Sequence, residues 1–253
     1  MLNIVIPMAG LGSRFSEAGY SLPKPLIDVR GRPMIQVVIE NLRPTREHRF
    51  IFICQASHLH DYKLEPILMG AGAQTVIIPL DFITEGAACT VLLASDYINN
   101  SDPLMIANCD QYITASIDSY LNLQDAEGYD GLIMTMTAAD SKWSFLEFGE
   151  SNAIKRIVEK KVVSNEATVG IYNYARGEDF VNASHQMFNA NDRTNGEFYV
   201  APAYNYMISS GHKIGYANIG SDRAGMYGLG VPSDLEFFNS LETLPVYVVD
   251  GRN

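Results

Sequence analysis

Residues 2–15 read LNIVIPMAGLGSRF, and the change of character at Ala9 decides how the rest of the chain is read. Leu2 to Met8 is an apolar run without polar alternation, which predicts a strand buried on both faces. Gly10 and Gly12 then free the backbone to turn, and Arg14 places a cation in that turn. Similar apolar runs recur at RFIFIC (49–54), TVIIPL (75–80) and PLMIAN (103–108). Between them lie helical patterns: Ile35, Val38, Ile39 and Leu42 on one face, then LEPILMGAG (64–72) and AACTVLLASDYI (87–98). Strand and helix in repetition predict an α/β fold, a three-layer α/β/α arrangement around a mixed, mostly parallel, Rossmann-like central sheet. Ligands of such sheets gather outside the carboxyl ends of the strands. Both MAGLGSR (8–14) and NCDQY (108–112) follow apolar strands at that edge.

From about residue 131 the pattern becomes short, alternating and β-like: GLIMTMTA, SFLEFG, AIKRIVEKK and ATVGIYNYA. These segments are expected to add antiparallel strands to the same sheet and to build a second wall over its edge. No repeat, low-complexity stretch or Pro/Gly/Ser-rich linker asks for a domain boundary. The expectation is one domain, 1–253, with lobes at 1–130 and 131–253. The tail, LPVYVVDGRN, reads as a late strand or an interface segment.

The 253 residues are 47% hydrophobic, enough for a substantial core. Lys and Arg number 18 against 29 Asp and Glu, a net charge of −11 that excludes nucleic acid and anionic membranes as partners. A single phosphate ester held in a cleft remains compatible. Cys54, Cys89 and Cys109 lie in apolar segments with no metal-ligand spacing and read as buried reduced thiols. No apolar run approaches the roughly 20 residues of a spanning helix, and the start lacks a basic leader, so a cytoplasmic location is expected. His58 and His60 point apart on a predicted helix and read as surface residues.

Glycines after a strand let backbone N–H groups converge on one concavity, for which phosphate is the natural guest. The spacing matches neither common nucleotide signature. GxxxxGK[ST] is absent, and the third glycine of GxGxxG is Phe15 here. What remains is a glycine loop carrying Arg14, followed by Lys24 held between Pro23 and Pro25. That combination suits a triphosphate whose leaving pyrophosphate must be neutralised.

MAGLGSRF followed by LPKPLIDVRGRPMI resembles the N-terminal signature of the sugar-1-phosphate nucleotidyltransferases, the nucleoside-diphosphate-sugar pyrophosphorylases. The resemblance implies a nucleotide-binding lobe at 1–130 and an acceptor-binding lobe at 131–253. Carried over by it, Ala9, Gly10 and Gly12 line the nucleotide site, Arg14 holds the β and γ phosphates, and Lys24 bridges toward the α phosphate. TEGAACTVLLA is similar to the loop and helix that contact the base, which makes Glu85, Gly86 and Ala87 nucleotide-binding candidates, with Gln55 beside them. NCDQY resembles the segment presenting a metal-binding aspartate, here Asp110, for Mg²⁺. WSFLEFGESNAIKRIVEKK is similar to the acceptor-binding strand pair and implies Ser144, Glu159 and Lys160 there; NGEFYVAPAYNYM implies Glu197. Tyr199 and Tyr204 read equally well as core, and Trp143 either stacks on the acceptor or fills the core.

One departure stands out. The resemblance implies a second metal-binding aspartate before a Gly-Thr-Pro-like turn, but the corresponding stretch is GLGVPSDL and the position is Gly228. Asp222 upstream is the substitute, and Asp234 is expected to cap the helix LEFFNSL. The implied partners are a nucleoside triphosphate and a sugar 1-phosphate or another phosphorylated small molecule, with homo-oligomerisation left open. The implied role is supply of a polysaccharide precursor. Two alternatives stand beside this reading: a cytidylyltransferase with a non-sugar phosphate acceptor, and a nucleotide-sugar-dependent glycosyltransferase. The latter chemistry usually relies on a DxD pair, whereas NCDQY offers a single acid.

Overall fold

The computed structural model describes residues 1–72 and 74–244. Residues 245–253, most of the tail read above as a strand or interface segment, lie outside the described residues. The strands within residues 1–130 are β1 (Leu2–Met8), β2 (Asp28–Val29), β3 (Arg32–Pro33), β4 (His48–Gln55), β5 (Val76–Leu80), β6 (Leu104–Ala107) and β7 (Gln111–Ile113). Those within 131–253 are β8 (Gly131–Thr137), β9 (Ser144–Phe148), β10 (Ile154–Glu159), β11 (Glu166–Tyr174), β12 (Ile214–Asp222) and β13 (Gly225–Gly228). Apart from the β2–β3 ribbon, these strands join one sheet in the order β5-β4-β1-β6-β11-β8-β12-β13-β7, with the β9–β10 hairpin branching from β11.

Every strand on that path except β7 and β11 runs in the direction of β1. The mixed, mostly parallel sheet expected from the sequence is therefore the sheet observed. The second lobe differs from its expectation: β11 and the β9–β10 hairpin run antiparallel, but β8 and β12 pair in parallel. β12 is reached through the helices Gly177–Asn189 and Ala203–Ser209, a crossover long enough to bring it beside β8 in the same direction.

The two-residue period of β1 builds the layers. Leu2, Ile4, Ile6 and Met8 pack in one core with Ile35, Val38, Ile39 and Leu42 of the helix Met34–Leu42 and with Leu64, Leu68, Tyr120 and Leu121. Val5 faces the other core, with Ala88, Val91, Phe180, Val181, Met187 and Tyr204. Asn3, wholly buried, has its side-chain oxygen satisfied by Arg49 at 3.0 and 2.6 Å, as a buried polar group requires. A third cluster, Phe15, Val29, Met34, Leu229, Leu235 and Phe238, ties the glycine loop and the β2–β3 ribbon to the helix Pro232–Ser240. Among the described residues no helix is long and apolar enough to cross a membrane.

The predicted helix over 87–98 is two short ones, Ala87–Leu92 and Ser95–Ile98. Met8, Gln55, Leu80 and Ala107 all end strands at one edge, so the glycine loop, Gln55, Glu85 and Asp110 open toward the same side.

Candidate active site

After β1 the chain turns through Gly12, in the left-handed region at φ 63°, into the short helix Ser13–Glu17 that carries Arg14. Gln55, at the end of β4, donates from Nε2 to the carbonyls of Ala9 at 3.0 Å and Gly10 at 3.4 Å, so it braces this loop. Lys24 opens a turn of 3-10 helix after Pro23 and donates from Nζ to Asp110 Oδ2 at 2.7 Å. Burial alone would lower the Lys24 pKa, but the Asp110 charge and hydrogen bond outweigh it, and the ammonium is held above the ordinary lysine range. Lys24 and Asp110, 86 residues apart, thus form the ionic centre of the cleft.

A cavity of about 400 Å³ beside this pair is lined by Arg14, Asn108, Asp110, Lys142, Trp143, Gly228, Gly230 and Asp234, among others. A second, of about 350 Å³, is lined by Arg14, Ala87, Asn108, Lys142, Trp143, Ser144, Glu159, Lys160, Thr168, Tyr172 and Tyr199, among others. The two share Arg14, Asn108, Lys142 and Trp143, so they are adjoining chambers of one cleft. In the second chamber Ser144 Oγ donates to the Glu159 carboxylate, and Thr168 and Tyr172 hydroxyls meet at 3.0 Å. Burial pushes the Glu159 carboxyl above its ordinary range, against the opposing effects of the Ser144 hydrogen bond and the Lys160 charge. Lys160 instead donates to the Tyr199 hydroxyl at 2.5 Å, a bond that raises its own pKa.

Asp222 is exposed at the end of β12 and lines neither chamber. Asp234 lines the first. It is not a helix cap: Val231 precedes the helix Pro232–Ser240, no side chain caps it, and Asp234 lies within its first turn. Arg223 donates to Asp234 Oδ1 at 2.9 Å, while Oδ2 lies 3.4 Å from where a side chain on Gly228 would begin. Gly230 is pressed against the other carboxylate, since a Cβ there would fall 2.3 Å from Asp110 Oδ2. The turn after β13 is thus bare where it meets both acids, and that bareness lets Asp110 and Asp234 share one chamber. Among the described residues no group of three or more His, Cys, Asp or Glu side chains is gathered as a metal cluster.

Of the remaining candidates, Glu85 is paired with Arg193, and Gly86 and Ala87 lead into the helix Ala87–Leu92. Glu197 is exposed and lines neither chamber; Tyr199 of the same segment does. Tyr204 is core, stacked on Tyr174 at 4.6 Å with its hydroxyl donating to the Asn173 carbonyl at 2.8 Å. Trp143 lines both chambers and also packs partly against the core. His60 is exposed, but His58 is half-buried, with its pKa lowered by burial. Burial raises the Cys54 and Cys109 thiols to about 11, so neither is a thiolate at neutral pH. Asn108, Lys142 and Thr168 enter the cleft without having been singled out, although Asn108 opens NCDQY, Thr168 lies in ATVGIYNYA and Lys142 precedes WSFLEFG.

A mostly parallel sheet with a two-chambered cleft of mixed charge outside the carboxyl ends of its strands lies where such folds hold their ligands. Residues 4–202 match the Nucleotidyl transferase family, and the chain belongs to it. The bifunctional protein GlmU of Methanococcus maripaludis is 27% identical over 183 residues, covering 68% of this chain and 39% of that protein. The mannose-1-phosphate guanylyltransferase catalytic subunit beta of Danio rerio is 25% identical over 184 residues, covering 69% of this chain and 50% of that one. The chain therefore spans half or less of the length of these two curated relatives. A crystal structure of the nucleoside-diphosphate-sugar pyrophosphorylase of Vibrio cholerae RC9 superposes with a TM-score of 0.78 at 25% identity, covering 94% of this chain and 100% of that one.

Proposed function

We propose that the chain joins a nucleoside triphosphate to a sugar 1-phosphate, giving a nucleoside-diphosphate sugar and pyrophosphate. The observation that carries this reading is the cleft itself. Its first chamber is walled by Asp110, to which Lys24 is bonded from behind the lining, and its second by a Glu159 carboxyl among hydroxyls, with Arg14 common to both. An acceptor phosphate oxygen attacks the α phosphorus, the bond from that phosphorus to the bridging oxygen breaks, and pyrophosphate carries the electron pair away. The acceptor is already ionised at neutral pH, so no nucleophilic side chain or general base is needed. Catalysis is alignment plus charge neutralisation.

In this scheme Lys24 meets the α phosphate, Arg14 the departing phosphates and Lys160 the acceptor phosphate. Glu159 and Ser144 take acceptor hydroxyls, which suits a polyol. Ala9, Gly10, Gly12, Gln55, Glu85, Gly86 and Ala87 shape the nucleotide pocket. Mg²⁺ fits the first chamber: it prefers oxygen donors and takes few from protein, completing its shell with water and phosphate. Asp110 and Asp234, cradled by Gly230 and Gly228, are the carboxylates that would hold it. When bound, it would supply charge neutralisation for the triphosphate. Asp234 thus takes the place expected for Asp222. Such a product would serve as a glycosyl donor for polysaccharide assembly.

The test is pyrophosphate release by purified protein with Mg²⁺, with CTP, UTP, dTTP, GTP and ATP each crossed against sugar 1-phosphates and non-sugar phosphates. Release that requires one triphosphate and one sugar 1-phosphate is expected. Release without any acceptor, or with a non-sugar phosphate alone, contradicts the reading.

A further inference from the structure

The residues that line both chambers mark where the two adjoin: Arg14, Asn108, Lys142 and Trp143. On the proposed reading the triphosphate and the acceptor meet there, and the new bond forms between two anions. The lining as a whole is mixed in charge, with Arg14, Lys142 and Lys160 set against Asp110, Asp234 and Glu159. Of these cations Lys160 belongs to the second chamber alone, where it is bonded to the Tyr199 hydroxyl. Arg14 and Lys142 reach the junction. The scheme above gives Arg14 the departing phosphates and leaves Lys142 without a part.

Lys142 lies in the turn between β8 and β9, and its backbone is firmly held. Asp140 Oδ1 accepts from the Lys142 N–H at 3.0 Å and the Asp140 carbonyl from the Trp143 N–H at 3.3 Å, which closes the turn. The Trp143 carbonyl accepts from the Lys160 N–H at 3.0 Å, and Ser144 pairs with Glu159 across the β9–β10 hairpin, so the turn is fixed to the acceptor wall. The Lys142 ammonium is held quite differently. Nζ lies 4.8 Å from the Trp143 ring centre and 3.8 Å from Asp140 Oδ2, beyond hydrogen-bond distance. Both contacts are weak for a side chain 45% exposed. Lys24 and Lys160 are engaged in short hydrogen bonds, whereas the flexible stem of Lys142 can carry its charge onto a phosphate without breaking one.

We infer that Lys142 is a further catalytic residue, whose ammonium moves from the Trp143 ring onto the acceptor phosphate at the junction and offsets its repulsion by the α phosphate it attacks. This rests on the function proposed above. The ammonium stays protonated throughout, and the bonds formed and broken are those already given. Repulsion between the two anions grows as they close on each other, so a cation at their meeting point stabilises the transition state more than the bound substrates.

The experiment compares wild type, Lys142→Met and Lys142→Arg as full chains, by steady-state pyrophosphate release with Mg²⁺ and by calorimetric titration of glucose 1-phosphate, or of the sugar 1-phosphate that the release panel selects. Lys142→Met is expected to lower kcat about 10²-fold and to weaken the acceptor about threefold, with the triphosphate KM within about twofold of wild type. Lys142→Arg, which keeps the charge, should return kcat to within about tenfold of wild type. Three results would each overturn the inference and leave the proposed reaction standing: kcat unchanged in Lys142→Met, Lys142→Arg no better than Lys142→Met, or a raised triphosphate KM with acceptor affinity intact. No release by wild type with any pair of substrates overturns the proposed reaction and the inference together.

Discussion

The two chambers use the same pair of residue types to opposite ends. In the first, Lys24 and Asp110 meet at 2.7 Å and the lysine stays firmly protonated. In the second, Lys160 turns away to Tyr199, and Glu159 is left with Ser144, its carboxyl raised by burial. Direct pairing keeps a charge available for phosphate at low cost. Burial among hydroxyls weakens the preference for the charged form in a site lined by hydrogen-bonding groups. On the proposed reading, a chamber for a triphosphate and a chamber for a polyol would be expected to differ in this way.

Substitution at Lys24 should separate the chambers most sharply. Lys24→Ala is expected to cut turnover about 10³-fold, far more than the loss of about 1–3 kcal/mol in urea unfolding that follows from leaving the mostly buried Asp110 carboxylate unpaired. Unchanged turnover would remove Lys24 from the chemistry. Gly86→Ala comes next, because Gly86 sits at φ 136° and a Cβ there would fall 2.4 Å from the Phe198 carbonyl oxygen. A loss of about 2–4 kcal/mol in urea unfolding is expected, and a loss under 1 kcal/mol would contradict the close approach. Asp234→Asn should raise the Mg²⁺ concentration for half-maximal activity about tenfold, and direct Mn²⁺ binding followed by electron paramagnetic resonance should weaken in parallel. Asp222→Asn should change neither; the reverse pattern would return Asp222 to the site.

The smallest effect lies at Glu159. With its folded carboxyl raised, the native state binds more protons than the unfolded one between the ordinary glutamate value, about 4.3, and the raised one. Stability therefore falls as pH climbs through that window, and the cost is complete above it. Glu159→Gln should lose acceptor affinity, yet melt about 1–2 °C higher than wild type at pH 7, with the gap closing below about pH 4. A variant that melts lower at pH 7 would show that the Ser144 contact outweighs burial.

Much of the first lobe was legible in the chain, because β1, β4 and β6 are apolar runs whose burial on both faces leaves no other reading. Arg14, Lys24, Asp110, Ser144, Glu159 and Lys160 were legible from motifs in sequence order; five of them line one cleft and Lys24 is bonded to Asp110 behind its wall. The helix Ile117–Glu127 carried a readable signal that the strand-dominated pattern obscured: Ile117, Tyr120, Leu121 and Gln124 face the core, Ser116 caps the start and Gly128 ends it. Asp234 was hidden for a different reason. Its access to the first chamber depends on glycines at 228 and 230 meeting two carboxylates across a turn, a relation in space with no periodicity to announce it. The Arg193–Glu85 pair was likewise invisible, since its members lie 108 residues apart.

The measurement that tests the central claim most directly follows the α phosphorus. Triphosphate labelled with ³²P at the α position, Mg²⁺ and the selected sugar 1-phosphate are incubated with wild type and with Lys24→Ala. The account predicts that with wild type the label enters a nucleoside-diphosphate sugar, that cleavage of its diphosphate bond returns labelled nucleoside monophosphate, and that the variant forms this product at least 10²-fold more slowly. Label appearing as free nucleoside diphosphate, or remaining in the triphosphate while sugar is consumed, would contradict attack at the α phosphorus.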